Sequence, residues 1–298
     1  EALEQIQTLD PAPIAAVLDL DLPNDPEEEV LEALQAAKLP IIALTGSCDA
    51  ESRVRILERD FVDYYLKEVQ GTNGVIEMLR RLEKNPTTRI LVVDDSRTFR
   101  MLVRQLLEVH RFDILEAGDG QEALEVLEAN PDVSLVLTDF EMPRVDGLEL
   151  VSRLRSMHNR GVVATIGISA QGNSAMSAMF LKHGADDFLT KPFEKEEFYC
   201  RVYRSISIVE HIRKIEQAAY TDKLTSLSNR QHFFKLAPPL YEEAVSDGRN
   251  LTTAMIDIDH FKAVNDTYGH AGGDIALQNM AALMTDMLGD MEVVARFG

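Results

Sequence analysis

The sequence repeats one pattern, in which a short, largely apolar run ends at an aspartate. The run Ala15–Leu18 ends at Asp19, and the run Val133–Thr138 ends at Asp139. Each aspartate is followed four residues later by a proline. An internal repeat constrains the fold more strongly than local propensity does, because both copies must adopt the same arrangement of elements. The two copies are therefore predicted to share a topology.

The repeat continues with a hydroxyl residue, an aromatic residue and a lysine. In each copy a second apolar run ends at the hydroxyl, the lysine lies 22 residues after it, and the aromatic lies three residues before the lysine. The first copy has Thr45, Tyr64 and Lys67, and the second has Ser169, Phe188 and Lys191. A match over three residue types at fixed spacing indicates two related domains.

Helical patterns separate the apolar runs of the second copy. Arg97–His110 and Gly120–Ala129 each place their apolar residues on one helical face. Short apolar strands that alternate with amphipathic helices predict an α/β fold with a doubly wound parallel sheet. Ligands of such sheets bind at the carboxyl ends of the strands. The polar residues at predicted strand ends are Asp94, Asp95, Asp139, Ser169 and Lys191.

These strand-end residues favour phosphoryl chemistry. Three carboxylates at one sheet edge would repel each other unless a divalent cation lay among them, and a few carboxylates with water suit Mg²⁺. Lys191 can supply a point charge to a phosphoryl oxygen, and Ser169 can donate a hydrogen bond that draws its loop inward. A single strand-end aspartate would more simply cap a helix. The five residues in this order favour a phosphoacceptor site.

Over residues 88–208 these motifs resemble the receiver domain of bacterial response regulators. The resemblance implies that Asp139 is the phosphoacceptor and that a sensor histidine kinase is the partner that supplies the phosphoryl group. It also implies Mg²⁺ ligation by Asp94, Asp95, Asp139 and the backbone carbonyl of Glu141, switching by Ser169 and Phe188, and phosphate binding by Lys191. The step from Lys191 to Pro192 is expected to be a cis peptide bond.

Residues 1–87 resemble a receiver that lacks its N-terminal part. Asp19, Thr45 and Lys67 keep the acceptor, the hydroxyl and the lysine. The acidic pair of the second copy begins 45 residues before Asp139, and the same offset from Asp19 falls before Glu1. The first strand, first helix and second strand are therefore expected to be absent from this copy.

Two departures separate this copy from the receiver pattern. Glu68 follows the lysine where proline is expected, and Glu27 stands where the second copy has Gly147. Two hypotheses remain open for residues 1–87. They form a second phosphoacceptor domain with Asp19 as acceptor, or a degenerate domain that serves in docking or dimerisation.

A helical pattern begins at Glu194 and continues to about Tyr220. Its apolar residues Ile208, Ile212, Ile215 and Ala219 are spaced four, three and four apart, as in the seam of a coiled coil. Residues 209–221 are therefore predicted to be a linker helix that continues the last receiver helix. The continuation favours a stalk that joins two protomers in a homodimer; the alternative is a helix packed on its own domain.

The segment after this linker contains the elements of a nucleotide site. We predict a helix over residues 230–245, a strand at Leu251–Ile258, a helix that ends near Leu288 and a strand over residues 292–297. A strand-end carboxylate such as Asp257 can hold Mg²⁺ on a triphosphate. Lys262 can meet phosphate oxygens, and Asn265 with Asp274 offers the donors and acceptors needed for a guanine edge.

Residues 222–298 resemble the N-terminal part of the GGDEF domain of diguanylate cyclases, which join two GTP molecules into cyclic di-GMP. The stretch from His260 to Asp274 carries the resemblance. It implies metal ligation by the Asp257 carboxylate and the Ile258 carbonyl, a base pocket lined by Phe261, phosphate binding by Lys262 and Arg230, and guanine binding by Asn265 and Asp274.

Two departures from the GGDEF pattern bear on cyclase activity and its regulation. The family's signature should begin at Gly298, where the sequence ends, so its catalytic residues would lie beyond this chain. We therefore expect this chain not to turn over GTP, and an intact parent to carry the cyclase activity. Residues 289–292 stand at the family's Arg-x-x-Asp product-inhibition motif without its arginine, so feedback inhibition by that route is not expected.

Composition excludes several classes of function. Of 298 residues, 30 are Lys or Arg and 50 are Asp or Glu, which gives a net charge of −20 and disfavours a nucleic-acid partner. The uncharged run over residues 161–181 contains Gly, Ser, Asn and Gln, so no membrane span is expected.

Two cysteines, Cys48 and Cys200, are expected to be free thiols in a reducing cytoplasm. Because the first residue is Glu1, the chain is expected to be part of a longer protein.

The sequence as a whole favours a cytoplasmic response regulator in which phosphorylation of Asp139 controls dimerisation, and thereby cyclic di-GMP synthesis by the intact form. Two alternatives remain. One is a non-catalytic sensor of GTP or a cyclic dinucleotide, and the other is a phosphorelay scaffold in which the receivers dock partners.

Overall fold

The structure is a computed structural model, and it describes residues 13–20, 27–46, 59, 61–67, 71–157, 163–170, 174–288 and 293–298. The predictions made for Cys48, Glu68 and residues 289–292 lie outside the described residues. The chain divides into two compact units, Glu1–Val209 and Glu210–Gly298. Within the described residues, no helix combines the length and the apolar character that crossing a membrane requires.

The first unit begins with a small parallel sheet. Its strands are β1 (Ala16–Asp19), β2 (Ile41–Thr45) and β3 (Phe61–Leu66), hydrogen-bonded in the order β1-β2-β3. Two helices accompany them, α1 (Glu27–Ala36) and α2 (Gly71–Lys84), and a short 3-10 helix covers Asn85–Thr87. One core of this module contains Leu18, Leu31, Leu34, Ile41, Ala43 and Phe61.

The same unit continues with the predicted doubly wound sheet. Its five parallel strands, in the order β5-β4-β6-β7-β8, are β4 (Arg89–Val93), β5 (Asp113–Ala117), β6 (Val133–Asp139), β7 (Ala164–Ser169) and β8 (Asp187–Thr190). The helices are α3 (Arg97–Val109), α4 (Gly120–Ala129), α5 (Gly147–Met157) and α6 (Ser174–Lys182).

The strands and helices form where the local sequence favours them. The apolar runs at β4 and β6 are buried on both faces because apolar cores lie on each side of the sheet. Helix α4 is capped at its N-terminus by Asp119, whose side chain accepts hydrogen bonds from the backbone amides of Gln121 and Glu122. These elements bring the carboxyl ends of β4, β6, β7 and β8 to one edge of the sheet.

The two sheets share one register at this edge. In both sheets the acceptor aspartate is paired with the residue that precedes the hydroxyl residue of the next strand. The hydroxyl residue is in turn paired with the residue that precedes the lysine. The pairs are Asp19 with Leu44 and Thr45 with Leu66 in the first sheet, and Asp139 with Ile168 and Ser169 with Thr190 in the second. The strands β1, β2 and β3 therefore repeat the order and register of β6, β7 and β8.

The predicted long helix is confirmed as α7 (Lys195–Tyr220). Phe198, Val202 and Ile206 in its first part are buried against the second sheet's core. Farther along, Ile208 is 47% exposed and Ile215 is 67% exposed. The exposed seam is compatible with the predicted stalk, and dimerisation stays a prediction.

The second unit differs from the sequence prediction in its strands. Helices α8 (Arg230–Ser246) and α9 (Phe261–Leu288) are present, and the strand pair is β9 (Ser228–Asn229) with β10 (Ala295–Arg296). The predicted strand Leu251–Ile258 is wrong, and the predicted strand at 292–297 reduces to β10. A strand needs hydrogen-bonded neighbours, and among the described residues of this unit no strand pairs with residues 251–258.

A buried histidine lies beneath the first turns of α7. His110 is fully buried, and its Nδ1 lies 2.7 Å from the hydroxyl of Tyr203. The side chain of Asn85 donates to the His110 carbonyl at 2.7 Å and to the Tyr203 hydroxyl at 3.1 Å. Burial lowers the pKa of His110 to about 3, so the ring is neutral at physiological pH.

This histidine is expected to make stability depend on pH. In the unfolded chain its pKa is about 6.5, so the unfolded state gains a proton that the folded state does not bind. Its contribution is therefore complete above about pH 6.5 and is lost towards pH 3, by about 1.4 kcal/mol per pH unit. Replacement by Asn keeps a hydrogen-bonding side chain beside Tyr203. Between pH 6.5 and 5 it should reduce the slope of the unfolding free energy against pH, measured with urea, by about 1.4 kcal/mol per pH unit, the contribution of one proton. An unchanged slope would contradict this assignment.

Candidate phosphoacceptor and nucleotide sites

The acidic edge of the second sheet is held together by a lysine. The Lys191 ammonium lies 2.7 Å from Oδ1 of Asp139 and 2.8 Å from Oδ2 of Asp94. Asp94 is 2% exposed, and the ammonium also lies 3.6 Å from the centre of the Phe99 ring. The structure thus brings together the predicted acceptor, one predicted metal carboxylate and the phosphate lysine.

The electrostatics of Asp139 reflect this crowding. Burial is the largest influence and raises the pKa of Asp139, and the Asp94 carboxylate raises it further. The hydrogen bond and charge of Lys191 and the backbone amide of Glu141 act in the opposite direction without reversing the shift. The edge therefore carries negative charge that a cation stabilises.

The predicted magnesium ligands have suitable chemistry. Asp94, Asp95, Asp139 and the Glu141 carbonyl supply only oxygen atoms, which is the donor set that Mg²⁺ prefers. Within the described residues, no three His, Cys, Asp or Glu side chains are gathered as a ready metal site. The Lys191 ammonium lies between two of the carboxylates, and its single positive charge offsets only part of their negative charge. Mg²⁺ bound there would neutralise charge on phosphoryl oxygens.

The loop after Asp139 approaches the acceptor closely. The Glu141 amide donates to Asp139 Oδ2 at 3.0 Å. A Cβ at Gly147 would lie 2.1 Å from the Asp139 carbonyl oxygen, so only glycine fits this close approach. Beside the loop is an open cavity of about 500 Å³, lined by Asp95, Glu141 and Asp146 among others.

The sequence analysis did not predict the ion pair between Arg144 and Asp119 that holds this loop. Arg144 donates to the Asp119 carboxylate through Nε at 2.7 Å and also through a terminal nitrogen. Although burial raises the pKa of Asp119, the hydrogen bonds from Arg144, Glu122 and Gln121 lower it overall. The helix-capping position of Asp119 could have been found in the sequence, whereas its pairing with Arg144 depends on the fold.

The predicted switch residues lie on the neighbouring strands. Ser169 is 4% exposed, and its carbonyl accepts a hydrogen bond from the Lys191 amide at 2.8 Å. Phe188 is buried, with its ring centre 5.6 Å from that of Phe180. The Lys191–Pro192 peptide bond is cis, as predicted.

The first module repeats this geometry with its own residues. The Lys67 ammonium lies 2.6 Å from Oδ1 of Asp19, and the Lys67 amide donates to the Thr45 carbonyl at 3.1 Å. Thr45 is 3% exposed. The structure therefore brings the three predicted residues together as it does Asp139, Ser169 and Lys191.

The nucleotide-site residues of the second unit are gathered only in part. A Cβ at Gly273 would lie 2.0 Å from the Asn265 side-chain oxygen and 3.2 Å from the Phe261 ring, so Phe261 and Asn265 meet beside Gly273. The bend of α9 at Gly269, where φ is 74°, makes this approach possible. Asp274 follows directly and is exposed.

The other predicted site residues of this unit are Asp257, Ile258, Lys262 and Arg230. Asp257 and Lys262 are exposed, and the Ile258 carbonyl accepts a hydrogen bond from the Phe261 amide at 3.3 Å. Arg230 lies over the rings of Phe234 and Phe297 at 5.8 and 6.0 Å. The structure therefore brings Phe261 and Asn265 together beside Gly273, and the base, metal and phosphate roles of the predicted residues stay predictions.

Comparison with known proteins identifies two domains in the chain. The family described as "Response regulator receiver domain" matches residues 90–203, and "Diguanylate cyclase, GGDEF domain" matches residues 219–298. Residues 13–67 lie outside these matches. The five-stranded parallel sheet, with Lys191 in contact with Asp94 and Asp139, defines a receiver domain. The match over residues 219–298 adds a GGDEF domain after it.

Several relatives share one or both parts. Chemotaxis protein CheY1 of Helicobacter pylori is 39% identical over 106 residues, which are 35% of this chain and 86% of that protein. Response regulator PleD of Caulobacter vibrioides is 27% identical over 217 residues, which are 70% of this chain and 47% of PleD. A crystal structure of a two-component system response regulator/GGDEF domain protein is 36% identical with a TM-score of 0.62, covering 70% of this chain and 86% of that one.

The chain belongs to the response-regulator family and carries a GGDEF domain after its receiver. It spans about half the length of PleD, at 47%.

Proposed function

We propose that the intact protein is a cytoplasmic diguanylate cyclase controlled by phosphorylation of Asp139. The observation that carries the proposal is the Lys191 ammonium, which contacts Asp94 and Asp139 at the strand ends of a chain that continues into a GGDEF domain. A sensor histidine kinase is the phosphoryl donor, Mg²⁺ is the cofactor, and GTP is the substrate. The net charge of −20 supports a protein without a nucleic-acid partner.

In the phosphorylation step, a carboxylate oxygen of Asp139 attacks the phosphorus of a phosphohistidine. The new P–O bond forms as the P–N bond breaks, and the released imidazole takes up a proton. Lys191 supplies a fixed positive charge beside the entering phosphoryl group, because its ammonium already lies 2.7 Å from Asp139. The Ser169 hydroxyl then donates to a phosphoryl oxygen and draws the end of β7 inward.

The output step depends on two protomers. Repacking around Ser169 and Phe188 changes the surface beside α6, where Phe188 packs on Phe180, and the exposed seam of α7 joins two chains. Each GGDEF domain binds one GTP, with Asn265 and Asp274 at the guanine, Phe261 beside the base, and Lys262 and Arg230 at the phosphates. Asp257 and the Ile258 carbonyl would hold the metal. The reaction joins two GTP, so one domain holds only half of the reactants.

We also propose that the first module is a second receiver, with Asp19 as its acceptor. The proposal is supported by the shared strand register and by the 2.6 Å contact between Lys67 and Asp19. The alternative is a degenerate domain that serves in dimerisation or docking, and it is favoured by Glu27, which stands where the receiver needs Gly147 for close approach.

The cyclase proposal is tested by substitution of Asp257 with Asn in the intact parent. We expect cyclic di-GMP formation to fall to background, while phosphoryl transfer to Asp139 continues, because the two sites lie in separate units. Matched substitution of the exposed Asp247 with Asn should leave synthesis unchanged. If the Asp257 variant signals normally while an Asp139 variant does not, the scaffold alternative replaces the cyclase. If the intact parent binds GTP but forms no cyclic di-GMP, the sensor alternative replaces the cyclase.

A further inference from the structure

One side chain of the first module reaches the first turn of the receiver's last helix. The Tyr64 hydroxyl donates to Oε1 of Glu196 at 3.0 Å. Glu196 lies in the first turn of α7, which spans 26 residues. At 1.5 Å per residue this helix extends about 39 Å. A contact at its start is therefore placed to affect the helix that leads towards the GGDEF domain.

The same strand connects Tyr64 to the Asp19 site. Tyr64 lies on β3, paired with Ala43 of β2, and Lys67 follows the end of that strand. The Lys67 ammonium contacts Asp19 at 2.6 Å, and its amide donates to Thr45 at 3.1 Å. A displacement of Lys67 is thus transmitted along three residues of backbone to Tyr64.

There is space beside Tyr64 for such a displacement. Its ring packs against the first module's core on one side. On another side it lines a cavity of about 1020 Å³ between β3, α2 and α7, together with Tyr65, Tyr199, Cys200 and Tyr203. Because close packing does not surround the ring, the hydroxyl can leave Glu196 without a collision with the core.

The corresponding position in the receiver lacks this polar contact. Phe188 pairs with Gly167 just as Tyr64 pairs with Ala43, and it has no hydroxyl. Phe188 is 9% exposed, and its ring packs on Phe180. The hydrogen bond to α7 is therefore a property of the first module and not a consequence of the shared fold.

We infer that the Tyr64–Glu196 hydrogen bond carries the state of the Asp19 site to the start of α7; this inference rests on the proposed role of Asp19 as a second acceptor. A phosphoryl group on Asp19 adds negative charge beyond the carboxylate, and the Lys67 ammonium follows that charge. The end of β3 moves with Lys67, and the Tyr64 hydroxyl separates from Glu196. The first turns of α7 then lose a stabilising contact.

The test uses the intact parent with Asp139 replaced by Asn, so that of the two proposed acceptors only Asp19 can respond. Beryllium fluoride with Mg²⁺ serves as the phosphoryl mimic, and fluorine NMR reports whether it binds. Hydrogen exchange of the amides at residues 199–203 reports on α7. With the mimic bound, we expect exchange to rise about threefold to tenfold, the factor that one net hydrogen bond is worth.

Two tyrosine variants make the result specific. The variant Y64F should show raised exchange without the mimic and no further response to it. The matched variant Y65F loses a hydroxyl that bonds within the first module, to Asp63 at 2.8 Å, and should respond as the parent chain does. A mimic that binds without changing α7 exchange, or an unchanged response in Y64F, would overturn the inference and leave Asp19 as an acceptor. Failure of the mimic to bind in Y65F and the parent chain would overturn both this inference and the proposed role of Asp19 as an acceptor.

Discussion

Replacement of Asp139 by Asn is expected to remove phosphoryl transfer to the receiver domain. The amide is a poor nucleophile and cannot form the acyl phosphate, although it occupies the same volume beside Lys191. After incubation with acetyl phosphate and Mg²⁺, borohydride reduction and mass spectrometry should find reduced acyl phosphate at position 139 in the parent chain. In the variant the signal at this position should fall to background.

A second aspartate provides the control for this result. Asp132 lies on the surface and pairs with Arg89 at 2.9 Å, so the variant D132N should be labelled at Asp139 like the parent chain. Any label that remains at Asp19 in the Asp139 variant would support the second acceptor. Label that stays at full strength elsewhere in the receiver domain would show that Asp139 is not its acceptor.

Replacement of Lys191 by Met is expected to destabilise the receiver and make it more responsive to magnesium. The substitution removes the cation that contacts both Asp94 and Asp139, and it leaves Asp94 buried at 2% exposure. Loss of one partner from a buried charge group costs about 3–5 kcal/mol, and partial solvent access at Asp139 reduces this to about 2–4 kcal/mol. Mg²⁺ should restore part of the loss, because it replaces the missing positive charge.

The measurement is urea unfolding of the receiver with and without saturating Mg²⁺, followed by hydrogen exchange of β4 and β6 amides. Replacement of Lys182, which is exposed on the last turn of α6, by Met should have little effect in either condition. A loss below about 1 kcal/mol, typical of an exposed ion pair, would contradict the account. Equal stabilisation of the variant and the parent chain by Mg²⁺ would also contradict it.

The sequence predicted the receiver domain well because its signals are local and repeated. The runs ending at Asp139 and Ser169 are buried strands, and the strand order places their ends at one edge, as parallel topology requires. Because Asp139 and Lys191 were both placed at strand ends, they were expected at one edge of the sheet, where the structure brings them into contact. The repeat matched Asp19 and Lys67 to these two residues, and they are also in contact.

Other features could not be found in the sequence because they depend on tertiary neighbours. The prediction of a strand at Leu251–Ile258 used apolar character alone, and a strand forms only where another strand pairs with it. The contacts of Arg144 with Asp119 and of Tyr64 with Glu196 join residues distant in sequence through long polar side chains. Such side chains have no periodicity that would reveal their partners.

The most direct test of the account is cyclic di-GMP formation by the intact parent with GTP and Mg²⁺, measured with and without beryllium fluoride. Gating through Asp139 predicts that the mimic raises the rate, and that the variant D139N loses most of this rise while keeping its basal rate. The same rate with and without the mimic, with beryllium fluoride shown to be bound at Asp139, would contradict phosphorylation control.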